Sequence, residues 1–156
     1  MEELLQRYLG GYEKIRKALE GVEEELLRFK PAPNAWSIHE IVVHLCDADL
    51  VAAHRMKAVI SETNPLLTAF DQDSWTSRMH YSELDLKTHL ELFRLLRISM
   101  ASVLQKLAPE EWQRTGIHNV AGKITLQDIV ESYVEHVEGH LRQMERNKAA
   151  YLSARP

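Results

Sequence analysis

Four long stretches of this chain carry an apolar residue every three or four positions, a period that suits helices packed on one another. The first runs from Glu2 to Phe29 through Leu4, Leu5, Tyr8, Tyr12, Ile15, Leu19, Val22 and Leu26, and stops at "KPAPNAW", where Pro31 and Pro33 cannot continue a helix. The second opens at "SIHE", where Ser37 and Glu40 form a capping-box pattern. Its stripe runs from Ile38 through Val42, Leu45, Ala52 and Met56 to Ile60, and "SETNPLL" ends it. The third begins at "SELD" (Ser82 with Asp85) and follows Leu86, Leu90, Phe93, Leu96, Met100, Val103 and Leu107. Thr125 with Asp128 starts the fourth, which continues to about Tyr151. The expected fold is all-α, a four-helix bundle.

The connections qualify the topology. Asn64 to Tyr81 is long for a compact domain and is expected to carry function or a short helix of its own. "RTGIHNVAGKITL" reads as a turn or hairpin-like excursion around Gly116 and Gly122. Both connections have the length of crossovers, so simple up-down-up-down order is not implied. There is no βαβ alternation and no repeat. At 156 residues, a single domain over 1–156 is expected.

Composition narrows the function. Nineteen basic against 23 acidic side chains leave a net charge of −4, and no basic stripe offers itself to nucleic acid. No apolar run approaches the roughly 20 residues of a membrane span. Met1 leads directly into "EELLQRY" rather than into a basic and then apolar signal segment, and one cysteine, Cys46, suits a reducing cytoplasm. The expected partner is a small molecule.

Eight histidines are many for this length, and "YVEHVEGHLRQ" sets two of them, His136 and His140, one helical turn apart on one side. The zinc-protease pattern H-E-x-x-H has the same histidine spacing, but its glutamate position holds Val137 here. Both imidazoles flank the apolar stripe of the fourth helix. On the second helix His44 flanks its own stripe on the side of Val51 and Arg55. Three imidazoles can therefore meet at one end of the core; the plain alternative is three partly buried histidines without a ligand. His39, His54, His80, His89 and His118 are expected to be solvated. Cys46 lies two residues from His44, about 200° around a helix, so the pair cannot form a nucleophile and a structural thiol is expected. Trp36 and Trp75 read as core or staple residues, or else as pocket walls.

In order, "NAWSIHEIVVHLCDADLVAAHRMKAVI", "AFDQDSW" and "ITLQDIVESYVEHVEGHLRQMER" resemble the DinB-like superfamily, over about Leu27 to Met144. The likeness is to the branch with bacillithiol S-transferases and proteins labelled metal-dependent hydrolases. The resemblance implies a bundle with one divalent metal, zinc or nickel, held by His44, His136 and His140, and a homodimer. It also implies that Asp47, Arg55, Asp71 and Trp75 lie near the pocket. "VEG" between the two histidines departs from relatives that carry more histidine or aromatic residues there, which bears on the substrate.

Three neutral imidazoles would leave a coordination position open, as in catalytic zinc sites. Such a site can lower the pKa of bound water to about 7 or hold a thiolate. Two enzymatic uses follow: an S-transferase that takes a low-molecular-weight thiol as co-substrate, or a hydrolase of ester or amide-like bonds. Asp47, one turn from His44, is the candidate catalytic residue, as proton acceptor or as a second-shell partner that orients an imidazole. Glu40 is a weaker one. The alternative is a non-catalytic metal-binding bundle acting as a sensor or stress-response interaction module.

Overall fold

The computed structural model describes residues 1–154, so the last two residues of the expected 1–156 domain lie outside the described residues. Along the chain come α1 (Glu2–Leu19), α2 (Glu24–Arg28), α3 (Ile38–Ser61), β1 (Leu66–Leu67), α4 (Gln72–Arg78), α5 (Leu86–Leu104), β2 (Thr115–His118), β3 (Gly122–Thr125) and α6 (Leu126–Ala154). The four long helices are α1, α3, α5 and α6. They make the expected bundle.

The residues that share a core fix the direction of each helix. One cluster joins Leu4, Leu5 and Tyr8 from the start of α1 to Met56 and Val59 from the end of α3. It also takes in Met100 and Leu104 from the end of α5 and Leu126, Ile129 and Val130 from the start of α6. The second joins Ile15 to Ile38, Ile41, Val42 and Leu45, with Phe93, Val137 and Met144. Thus α1 and α6 run one way, α3 and α5 the other. Both α1 and α3 pack on α5 and on α6, so each parallel pair lies side by side. Parallel neighbours α3 and α5 need a connection as long as the bundle, and residues 62–85 supply it. The connection from α5 to α6 joins two ends at the same end of the bundle, so only the first of the two long connections crosses over.

Local chemistry explains the element boundaries. The Ser37–Glu40 box closes in both directions, with Glu40 N on Ser37 Oγ at 3.2 Å and Ser37 N on a Glu40 carboxylate oxygen at 2.8 Å. Thr125 and Asp128 make the same reciprocal pair at the start of α6. The expected first helix is broken. Glu20 (φ −60°, ψ 127°) and Gly21 (φ +69°) form a turn closed by Val22 N on Leu19 O at 3.2 Å. This is type II geometry, whose third position favours glycine. The third long helix starts at Leu86, capped by Asp85 through the Thr88 amide at 2.8 Å, and Tyr81–Glu83 form a separate 3₁₀ turn. The hairpin-like excursion is β2 paired antiparallel with β3, and β1 adds in parallel alongside β2, with Leu66 opposite Ile117.

One buried cation ties the bundle together at mid-height. Arg97 on α5 is 1% exposed and pairs with fully buried Asp49 on α3 at 2.6 and 3.1 Å. It also donates to the carbonyls of Tyr8 on α1 at 2.6 Å and Tyr133 on α6 at 3.0 Å. Its guanidinium lies over the rings of Tyr8 and Phe93. Gly11 makes the room: a Cβ there would fall 2.4 Å from Arg97 Nη1.

Candidate metal centre

Because α3 and α6 are packed neighbours, His44 on one and His136 and His140 on the other reach a common point. His136 Nε2 lies 3.0 Å from His44 Nε2 and 3.0 Å from His140 Nε2. The three nitrogens that could ligate all fall within 4.8 Å of one another. His140 donates its Nδ1 proton to Gln143 Oε1 at 2.8 Å, and in the neutral ring that leaves a lone pair on Nε2 facing the cluster. The Nδ1 atoms of His44 and His136 are buried without a hydrogen-bond partner among the described residues. Burial, with His136 and His140 alongside, pushes His44 down to about 3. Burial, with His140 and Arg97 alongside, does the same to His136, also to about 3. His140 is lowered by burial against the opposing bond to Gln143. Three neutral imidazoles aimed at one point are a donor set suited to a divalent cation, and the residues present fit one.

Aromatic rings wall the cluster. Trp36 lies 4.7 Å from His44 and stacks on His140 at 6.1 Å, so of the two readings open to Trp36 the pocket wall applies. Phe70, in the crossover, lies 6.3 Å from His44 and bears on Trp75 at 4.7 Å. Tyr133 lies 5.8 Å from His136. An open cavity of about 240 Å³ reaches His140 between Asn34, Trp36, Asp73 and Gln143. Beside it, a larger one of about 450 Å³ continues past Trp36 to Lys30 and Glu40.

The other residues singled out from the sequence divide. The Asp47 carboxylate accepts a hydrogen bond from the Tyr81 hydroxyl, tying α3 to the turn at 81–83. It does not orient His44, whose Nδ1 has no partner among the described residues. Glu40 is committed, one oxygen to the Ser37 amide and the other to Lys30 at 2.7 Å. Arg55 donates to the Tyr133 hydroxyl at 3.2 Å and to the Thr68 carbonyl, pinning the crossover over α6. Asp71 caps α4 through the Ser74 amide at 3.0 Å and is exposed. Cys46 is a buried structural thiol, which burial, with Asp47 and Asp49 nearby, pushes up to about 12. His39 departs from expectation. It is 3% exposed and bonds the Leu84 carbonyl at 2.9 Å, because Leu84 closes over the start of α3. Phe70, Tyr133 and Gln143 belong to the site without having been singled out. Tyr133 and Gln143 stand three residues before His136 and three after His140, a spacing that signals a shared face; Phe70 lies in a connection with no period.

Comparison with known proteins bears on the family and the fold. The sequence profile of the DinB superfamily matches residues 8–144. A protein of Oceanobacillus iheyensis, named as a candidate metal-dependent hydrolase, is 29% identical over 68% of this chain and 61% of its own length. A similarly named protein of Bacillus licheniformis is 23% identical over 94% of this chain and 86% of its own. The solved structure of YfiT from Bacillus subtilis is described as a probable metal-dependent hydrolase with an unusual four-helix bundle topology. It aligns with a TM-score of 0.88 at 21% identity, covering 95% of this chain and 85% of YfiT.

Proposed function

This chain belongs to the DinB superfamily, and on that premise we propose that it is a metal-dependent enzyme. In this reading His44, His136 and His140 hold one divalent ion, zinc or nickel, which activates water or a low-molecular-weight thiol toward a small electrophilic substrate. The observation that carries it is the meeting of three neutral, buried imidazoles with Nε2 atoms 3.0 Å apart in two pairs. When bound, such an ion would supply Lewis acidity that brings the pKa of water down toward about 7 or holds a thiol as its thiolate.

The chain's own residues have separable tasks. Gln143 fixes the tautomer of His140, as an outer-shell partner of a ligand does. Trp36 and Phe70 both bear on the His44 ring and help keep bulk water off it. Val137 stands where a zinc peptidase carries its base, and Glu138 is turned to Lys14, which argues against peptide hydrolysis. Hydrolysis of an ester or a simple amide is favoured by the names of the relatives; thiol transfer is the other use of the same site. The open cavity at His140 favours catalysis over a closed sensor site. A reducing cytoplasm fits the single buried cysteine. A homodimer fits the exposed Leu92, Leu95 and Ile98 on α5, and a monomer in sedimentation velocity would remove that part of the reading.

Elemental analysis of untagged protein is expected to find about one zinc or nickel per chain, and none in His136→Ala. Equal metal in both, or none in either after zinc titration, would return the chain to a non-catalytic bundle.

Asp47 is the proposed proton acceptor, since its hydrogen bond to Tyr81 occupies one carboxylate oxygen and leaves the other available. Asp47→Asn is expected to keep the metal while lowering turnover of 4-nitrophenyl acetate by about tenfold or more. Unchanged turnover sinks that role.

A further inference from the structure

Resting on the enzymatic reading above, we propose that the cavity beside Arg55 is a carboxylate subsite, and that the substrate carries a single carboxylate on a small aliphatic body in addition to the electrophilic bond that is attacked. The cavity holds about 330 Å³ between α3, α6 and the β2–β3 hairpin. Tyr133 walls both this cavity and the histidine cluster, its ring 5.8 Å from His136, so a ligand seated here lies one side chain away from the candidate metal.

The charge pattern selects the ligand. Arg16, Arg28, Arg94 and Arg97 each hold a carboxylate, and Arg114 spends its donors on the backbone carbonyls of Val59 and Glu62, away from this cavity's wall. Among the described residues, half-buried Arg55 donates to the Tyr133 hydroxyl and the Thr68 carbonyl and meets no carboxylate, and its buried Nε has no partner. A guanidinium in such surroundings gains from an anion that brings two acceptor oxygens. Tyr133 accepts from Arg55, which frees its own proton to donate. His118 accepts the Val120 and Ala121 amides on Nδ1, so its proton sits on Nε2 as a further donor on the cavity wall. Ile124 and Ile129 supply an apolar floor. Asp128 is the acidic group on the cavity wall, with one oxygen committed to the Thr125 amide. One cation facing one anion across apolar walls disfavours a phosphate dianion and favours a monoanion with a hydrocarbon body.

The test uses hexanoate and its uncharged isostere hexanamide, titrated calorimetrically into wild type before and after metal removal by chelator. Hexanoate should bind about tenfold or more tightly than hexanamide in both states, the margin of a charge-assisted contact. Arg55→Gln should erase that preference, and Arg55→Lys should keep part of it. Ala121→Trp, at an exposed hairpin position that needs no core rearrangement, should close the cavity to both ligands with metal content unchanged. Equal binding of acid and amide by wild type, or hexanoate binding untouched by Arg55→Gln and Ala121→Trp, overturns the subsite. Hexanoate binding that needs zinc, disappears in His136→Ala and survives Arg55→Gln would place the carboxylate on the metal, which overturns the subsite while upholding the metal reading. Arg55-dependent binding by a chain that takes up no metal would support the subsite and remove the enzyme built around it.

Discussion

Arg97→Met should cost the fold about 3–5 kcal/mol, because it strands the buried Asp49 carboxyl without its counter-charge, so that it must either stay ionised alone or take up a proton. The pair is closed from solvent on both sides, with Arg97 at 1% and Asp49 at 0% exposure. Burial already pushes the Asp49 carboxyl up, opposed by the Arg97 charge and its hydrogen bonds, so removing the guanidinium removes what holds the carboxylate ionised. The carbonyls of Tyr8 and Tyr133 lose a donor at the same time. The same contacts join α1, α3, α5 and α6 at one level, and His136 begins one turn beyond Tyr133. Loss of Arg97 should therefore weaken metal uptake as well as stability. Urea unfolding gives the first effect and competitive titration against a zinc indicator the second. Replacing both partners, Arg97→Met with Asp49→Leu, removes the stranded charge, and most of the lost stability should return. Equal midpoints for the single and double variants would show that the charge balance is not what the pair contributes.

The reason Arg97 is hard to read from sequence shows where pattern stops. It sits in the α5 stripe between Phe93 and Met100, and an arginine there looks like a fault in the period until Asp49, 48 residues earlier, is known to meet it. By contrast, Ser37 with Glu40 and Thr125 with Asp128 act within four residues, so the starts of α3 and α6 were legible. The break at Gly21 was masked because the apolar period runs straight through it. Val22 and Leu26 pack on the second core cluster just as a continuous helix would have placed them. The histidines were legible as a one-turn pair and a stripe-flanking third, and the structure does bring them together. Asp47 shows what spacing leaves out: a three-residue step keeps its side chain near the face of His44, but the Tyr81 hydroxyl that occupies one of its oxygens comes from a segment with no period. Phe70 and Arg55's hold on Thr68 depend likewise on how the crossover lies on the bundle, which spacing within one helix cannot supply.

Zinc should raise the stability of this chain, and His136→Leu should invert the effect of the metal-free state. An ion that binds only the folded form at a thousandfold excess over its Kd adds about 4 kcal/mol. For a chain of this length that is a rise of roughly 10 °C in Tm. Without metal, the same three residues are a burden. His44 and His136 each bury an Nδ1 with no partner among the described residues, and unsatisfied buried polar groups cost about 1–3 kcal/mol apiece. Leucine at 136 removes one such group and continues the apolar surface of Val137 and Tyr133, so in chelator the variant should match or exceed wild type. In zinc it should fall behind by most of the metal's contribution, because two imidazoles on separate helices hold an ion far less well than three. Thermal unfolding of both proteins, each in chelator and in zinc, gives the four midpoints needed. A crossing of the two orders supports a site whose histidines are kept for the ion. A variant that loses stability equally in both conditions, with wild type indifferent to zinc, would instead make these histidines ordinary core residues and remove the metal from the account.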